Sequence, residues 1–379
     1  MKIGILTFWS SMDNYGQVLQ GYALQKYLCS LGHEAFLIRY EEKKTYPDIF
    51  QSRSAWALFT RAKKYLLHHR DYEKQKKVFR KNLQRGFTTF KKGKIEYSQQ
   101  RYHTPLSLQK DVPKADMYIV GSDQVWGRNP LSALQQPYYL QFGSPLTKRI
   151  SYAASFGNNE SFDDNPELLQ TLLKGFERIS VREETGKRLC EKAGLDVTWV
   201  LDPVLLLRKA DYLPLIKGVT PRSEAYLYIY SVNVVNPEQI RYSQLLSLAD
   251  KKGWQVVVTP SSGYITYEDI FEKAIYDYCS IEGWLSNIYH ASLVVTTSFH
   301  GVMFCLKFHK PFVYVPLEGR FSRGNDRVGT LLTKLQLTNR ILKDNYEEVC
   351  DQSIDWASVD SVLDEYIDNS KEFLRECGC

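Results

Sequence analysis

Apolar and polar positions along the chain alternate between short buried runs and amphipathic stretches. Residues 3–8 form a compact apolar run of the kind a parallel strand covered on both faces requires. Beyond a polar loop, Val18, Leu19, Tyr22, Ala23, Tyr27, Leu28 and Leu31 recur at helical spacing, and Gly32 stands where a helix closes. Residues 35–40 return as a second strand. The chain therefore opens βαβ, with its first loop at the carboxyl end of strand one, where open α/β sheets bind ligands. Strand-like runs follow at 117–120, 150–155, 179–182 and 197–200, with a helical span over 183–193 ended by Gly194.

Leu201-Asp202-Pro203 begins a change of register, and a domain boundary is expected between about residues 203 and 221. The second half repeats the alternation. Strands are expected at 225–231, 254–259, 293–297 and 312–315, and helices at 237–252, 282–290 and from Gly301. A polar amphipathic helix closes the chain from about 354 to 375. The pattern predicts an α/β protein of two Rossmann-like domains facing a cleft, residues 1–210 and residues 211–379, the latter including the last helix.

Length agrees with that division, since 379 residues exceed one ordinary core. At 44% hydrophobic and 24% charged residues the chain is neither disordered nor fibrous. No apolar run approaches the roughly 18 residues of a spanning helix, and the start reads as a strand, not a signal peptide, so a cytoplasmic location is expected. Seven cysteines without paired CxxC spacing predict no zinc site, and no other metal site is expected. Cys377-Gly378-Cys379 reads as a frayed, exposed tail.

Charge alters the picture locally. The net charge is +6, yet residues 53–101 carry fifteen Lys/Arg against three Asp/Glu. The remainder is mildly acidic. The basic helical insertion at 53–93 also bears Trp56 and Phe59. It has three readings: a solvated face, a nucleic-acid surface using Tyr65, Tyr72 and Phe79, or a helix lying on anionic lipid. The sevenfold spacing of those aromatics places them on one helix stripe, which points to packing more than to base stacking.

Candidate chemistry gathers in loops after strands. Thr296-Thr297-Ser298-Phe299-His300-Gly301 lies between a strand and a helix, whose unpaired N–H groups suit phosphate or carboxylate. Ser298 is placed to cap that helix and His300 to do acid–base work at the cleft mouth; a capping serine with a structural histidine is the plainer alternative. Arg320, Arg323 and Arg327 form a basic loop suited to anions, or simply a solvated one. In the first βα loop, Asn14, Gly16 and Gln20 suit sugar hydroxyls and close backbone approach, though a plain capped turn explains them almost as well. Asp123 suits proton acceptance from a sugar hydroxyl and Trp126 stacking on a pyranose face, or else a helix start with a core tryptophan. Arg182 is either a local ion pair with Glu183 and Glu184 or an anion contact in the cleft. Asp202 reads as a turn former.

The segments Asn14-Tyr15-Gly16, Gly121-Ser122-Asp123-Gln124-Val125-Trp126, Ser151-Tyr152-Ala153-Ala154-Ser155-Phe156-Gly157, Ser180-Val181-Arg182-Glu183, Leu201-Asp202-Pro203, Ser298-Phe299-His300-Gly301 and Arg323-Gly324-Asn325-Asp326-Arg327 occur in that order. Together they resemble the polysaccharide pyruvyl transferase family over about residues 3–340; the ordered set, not any one segment, carries the likeness. The resemblance implies a GT-B-like fold. It also implies transfer of a pyruvyl group from phosphoenolpyruvate to two sugar hydroxyls, forming a ketal and releasing phosphate, with phosphoenolpyruvate as co-substrate and no cofactor. By that match His300 acts in acid–base chemistry near the donor, and Arg182 holds the donor's carboxylate or phosphate. Better-known members have Arg-Leu-His where this chain has Ser298-Phe299-His300; Arg323 or Arg327 is expected to replace the lost arginine.

Acceptors in the family are sugars of surface polysaccharides such as capsule or exopolysaccharide, often built on a polyprenyl lipid at the inner membrane face. That favours the membrane reading of the basic arm, and peripheral attachment, over nucleic acid. The competing functions are a metal-independent nucleotide-sugar glycosyltransferase on the same fold and a non-catalytic sugar-binding relative.

Overall fold

The computed structural model describes residues 1–41, 82–157, 162–261 and 270–379, without the side chains of Arg320 and Arg323. The first half is built on strands β1 (Lys2–Leu6), β2 (Glu34–Tyr40), β3 (Tyr97–Tyr102), β4 (Met117–Val120) and β5 (Lys148–Ser151), all paired in parallel in the order β3-β2-β1-β4-β5. The pair β6 (Ser180–Val181) and β7 (Thr198–Trp199) continues past β5 through the bridges Ile150 to Arg178 and Ala154 to Val181. The second half uses β8 (Tyr226–Ser231), β9 (Gln255–Pro260), β10 (Ile275–Tyr276), β11 (Leu293–Thr296) and β12 (Phe312–Tyr314) in the order β10-β9-β8-β11-β12, again all parallel. The two sheets share one topology, with the strand order reversing beside β1 and beside β8. Crevices open at those reversal points, outside the carboxyl ends of the strands.

The helices are α1 (Tyr15–Ser30), α2 (Phe87–Lys94), α3 (Pro105–Lys110), α4 (Pro166–Leu173), α5 (Glu184–Lys192), α6 (Lys209–Ile216), α7 (Tyr242–Lys252), α8 (Ile281–His290), α9 (Phe299–Phe308), α10 (Asn325–Lys334), α11 (Tyr346–Cys350) and α12 (Trp356–Glu376). Two of them fix the site. Helix α1 is buried on nearly every side, polar Gln20 and Gln25 included, and α9 is buried from Phe299 to Phe308 except at Lys307. A helix apolar all round belongs inside a protein, not at its surface. Each packs on its own sheet and meets the other half on its far side. Tyr15 at the start of α1 stacks on Trp284 of α8, centroids 5.2 Å apart and planes 9° from parallel, and its hydroxyl donates to the carbonyl of Cys279. One apolar cluster therefore runs from Ile3 and Val18 to Val294 and Phe304.

The described end of the basic insertion docks in this seam. Arg85 Nη1 donates to the Tyr15 hydroxyl (3.0 Å) and the Pro260 carbonyl (2.7 Å), and Lys91 Nζ to the carbonyls of Ser10 and Ser11. Phe87 and Phe90 are buried beside them. These four residues are committed to the fold and face neither solvent nor lipid, a correction for them alone, since Leu83, Thr88, Thr89 and Lys92 beside them are exposed. Trp56, Phe59, Tyr65, Tyr72 and Phe79 lie outside the described residues. Among those described, no helix is long and apolar enough to cross a membrane.

The chain's end also departs from expectation. Helix α12 returns to the first half, where Ser370 Oγ accepts from Leu201 N (2.9 Å), Phe373 packs on Tyr152 and Arg178 pairs with Glu376. Cys377 is buried and Cys379 rests against the Met117 sulfur, so the tail is packed.

Candidate active site

A cleft of about 350 Å³ opens where the loops after β1, β4, β8 and β11 converge, lined by Asn14, Gln17, Asp123, Ser298, His300 and Arg327 among others. Its centre is the start of α9. Ser298 is extended (φ −99°, ψ 133°) and its hydroxyl accepts from Gly301 N, capping the helix. Thr296 Oγ1 accepts from Ser298 N and donates to the Tyr230 carbonyl. A Cβ at Gly301 would collide with that hydroxyl, so the turn requires glycine. This geometry sets His300 in the first helical turn, 7% exposed. On α1, a Cβ at Gly16 would overlap the His300 imidazole. The close approach that Gly16 permits is therefore to His300, not to a sugar.

Behind His300 lies a buried charged network. Asp202 Oδ2 stands 3.4 Å from His300 Nε2 and accepts from Ser122 Oγ (2.7 Å) and Arg182 Nη1 (2.8 Å). Its Oδ1 accepts from Val204 N, which caps the short turn Pro203–Leu205. Asp202 thus forms the expected turn and also joins the two halves. Arg182 reaches further to Asp123 Oδ1 (3.3 Å), and Asp123 Oδ2 accepts from Gln17 Nε2 (3.3 Å). Asp123 holds φ at +76°, a strained conformation for a non-glycine residue, secured by the backbone bridge to Ala154.

Burial alone would raise the pKa of Asp202, but His300, then Arg182 and the Ser122 hydroxyl, hold it well below the carboxylate range. Asp123 is also lowered; burial opposes ionisation and Arg182, His300 and Arg327 overcome it. Both are firmly anionic, which suits orientation and charge stabilisation better than proton capture. Glu183 goes the other way, raised by burial despite Arg182 and Arg327.

Arg327 also lines the cleft. Burial pulls its pKa down, and the neighbouring Arg182 adds to the shift. With the Gln124 amide oriented to present its oxygen, that oxygen accepts from Arg327 Nη1 (3.1 Å) and Nη2 (2.9 Å). The Phe299 ring lies beside both arginines, 4.8 Å from the Arg182 guanidinium and 5.6 Å from that of Arg327. The helix carrying Arg327 is pinned by Asn325, which exchanges hydrogen bonds with Leu317 N and O, and by Asp326, which accepts from Thr185 Oγ1 of the first half.

Of the residues singled out in the sequence, Asn14, Asp123, Ser298, His300 and Arg327 meet at the cleft, with Gly16 behind His300. Asn14 caps α1, accepting from Gln17 N. Three expectations are corrected. Gln20 is 0% exposed and its amide nitrogen donates to Thr7 Oγ1 and the carbonyls of Phe8 and Gln17, so, buried away from the cleft, it does not meet an acceptor. Trp126 is 1% exposed, lies parallel to Tyr139 and donates to the Tyr138 carbonyl, leaving no face for a sugar. Arg182 has a wholly buried side chain held by Asp202, Asp123 and Ser122, so it organises the site from behind and does not reach into the cleft. The Arg323 side chain lies outside the described residues. Asp202, Ser122, Gln17 and Gln124 were missed as site residues; the Leu201-Asp202-Pro203 and Ser122–Gln124 segments were the available signal.

The chain resembles known proteins at two levels. The family model for polysaccharide pyruvyl transferase matches residues 14–318. No curated protein matches. Among solved structures, a putative UDP-N-acetylglucosamine 2-epimerase from Listeria monocytogenes superposes at TM-score 0.50 and 9% identity, over 97% of this chain and 90% of that one. A UDP-GlcNAc 2-epimerase from Neisseria meningitidis bound to UDP-GlcNAc gives 0.48 at 8% identity, over 100% and 94%. An alpha-glucosyltransferase in complex with UDP and DNA gives 0.46 at 10%, over 98% and 90%. At 9% identity the likeness to the Listeria structure is one of fold, and with the two matching sheets it makes the architecture GT-B-like, two Rossmann-like units facing a cleft. Four-fifths of the sequence, from the Asn14 cap through the His300 helix, falls within the family match, and the chain belongs to the polysaccharide pyruvyl transferase family.

Proposed function

We propose that this protein transfers the pyruvyl group of phosphoenolpyruvate to two hydroxyls of one sugar in a surface polysaccharide or its lipid-linked precursor, at the cytoplasmic face of the membrane. One proton is added to the methylene carbon of the donor, which becomes the ketal methyl. Two C–O bonds form at the central carbon and the phosphate ester bond breaks. The two protons lost by the sugar hydroxyls balance the one gained by carbon and the one that leaves with phosphate. Phosphoenolpyruvate is a co-substrate, and the reaction so written uses no cofactor.

The observation that carries this reading is the placing of His300 in the first turn of α9, backed by Asp202 and lining one cleft with Arg327. A histidine there is placed to move the proton. The N–H groups of the helix start and the Arg327 guanidinium suit a donor carrying both carboxylate and phosphate. Arg327 takes the role left open by Ser298, where an arginine is otherwise expected. Asp123 and Gln17 suit acceptor hydroxyls as hydrogen-bond partners, and Asp123, being anionic, favours positive charge developing at the ketal carbon.

The test is phosphate release from phosphoenolpyruvate across a panel of sugar acceptors, with mass analysis for a product heavier by a pyruvyl ketal. The His300→Ala enzyme is expected to lose about 10²–10⁴-fold in rate. Turnover of a nucleotide sugar, with phosphoenolpyruvate inert, would instead make the chain a glycosyltransferase.

A further inference from the structure

A second cavity lies at the other end of the second sheet. It has a volume of about 400 Å³ and is bounded by Trp254 just before β9, Leu293 at the start of β11 and Pro311 just before β12. The active cleft follows the opposite end of β11, so one strand separates the two. The far cavity is rich in donors: Lys252, Arg340, Gln352 and Ser353 line it with the indoles of Trp254 and Trp356. Among the described residues no Asp or Glu lines it.

Arg340 is the unusual member. It is 2% exposed, yet its guanidinium makes one hydrogen bond, from Nη2 to the Val349 carbonyl (2.6 Å), and its buried Nε has no partner among the described residues. No carboxylate is paired with it there. Burial accordingly lowers its pKa from the ordinary value, opposed only by Cys350. A buried cation without a counter-charge is costly, and buried charges are ordinarily paired. Lys252 in the last turn of α7 adds a second positive charge. Of the acidic neighbours in sequence, Asp355 caps α12 through Ser358, Glu347 pairs with Lys251 (2.9 Å), and Asp351 is exposed beside Cys350.

We propose that this cavity is a binding site for a small organic anion, a phosphate monoester or carboxylate on a flat apolar body, with Arg340 and Lys252 meeting the charge and Trp254 and Trp356 the body. It is separate from the cleft at His300 and does not depend on the reaction carried out there.

Calorimetric titration of the intact protein with phenyl phosphate and phenylacetate tests this, with benzyl alcohol as the neutral control. Saturable binding of at least one anion is expected, weakened about tenfold or more in Arg340→Met and by a smaller factor in Lys252→Gln. It should be unchanged in Arg327→Met, and the alcohol should not bind. Should Arg340→Met fail to fold, the surface change Lys252→Gln carries the comparison. No binding up to millimolar ligand, equal binding of the alcohol, or loss in Arg327→Met with none in Arg340→Met and Lys252→Gln would overturn the proposal.

Discussion

Asp202 accepts charge-assisted hydrogen bonds inside the protein while touching a histidine that opens to the cleft, so it serves stability and chemistry together. Removing its charge leaves Arg182 buried without its nearest counter-ion. Breaking such a pair costs about 3–5 kcal/mol, and Asp202→Asn is expected to lose stability on that scale in urea unfolding. The pH dependence follows from the same network. The carboxyls of Asp202 and Asp123 are both depressed in the folded state, so their stabilisation is fully present above the unfolded aspartate value of about 3.9. It is lost as pH falls through the lower folded values. Unfolding free energies measured between pH 6 and pH 2 should decline, and Asp202→Asn should flatten part of that decline. Gly16→Ala tests the contact with His300 from the other side. The added methyl must displace the imidazole, and turnover should fall about as far as in His300→Ala, with a stability cost of about 1–3 kcal/mol from overpacking. Unaltered turnover in that variant would mean that the ring position does not matter.

At the scale of elements, the buried strands were the easiest part of the sequence to read because β1, β4, β8 and β11 are covered on both faces and show as unbroken apolar runs. Two edge strands, β3 and β10, were not legible, whereas the edge strand β12 was. Tyr97–Tyr102 reads YSQQRY, with buried and exposed positions mixed, and Ile275–Tyr276 is only two residues long, so neither carries a strand pattern. The helix expected over 237–252 is broken by Arg241 at φ +47° into the short turn Pro237–Ile240 and α7. The cap at Ser298 and the glycine after it were legible, since both follow from local chemistry. The burial of Gln20, Trp126 and Arg182 was not, because it depends on which other element lies across the helix or strand. Trp126 allows a direct check. Trp126→Phe should lower stability by about 1 kcal/mol or more through its lost hydrogen bond and stacking, with the acceptor KM unchanged. A raised KM would return that residue to the acceptor site.

At the scale of the whole molecule, the two halves are held together by more than their linker. Arg85, from the end of the basic insertion, ties Tyr15 of the first half to Pro260 of the second; Ser261 donates to the Asp13 carbonyl; and α12 crosses back to the first sheet. Charge imbalance in the sequence located the insertion but pointed toward an external surface. Within its described part, Arg85 and Lys91 turn inward because they find buried carbonyls, something composition cannot reveal. Arg85→Met should therefore destabilise the chain by about 1–3 kcal/mol, measured by denaturant unfolding, through the carbonyl and hydroxyl left unmet in the seam.

The measurement that bears most directly on the central claim is a calorimetric titration with phosphoenolpyruvate beside a set of nucleotide sugars, on the natural protein and on Arg327→Met. The account predicts that phosphoenolpyruvate binds and nucleotide sugars do not, with affinity falling about tenfold to a hundredfold when Arg327 loses its charge. Binding of a nucleotide sugar without phosphoenolpyruvate, or phosphoenolpyruvate affinity indifferent to Arg327→Met, would contradict it.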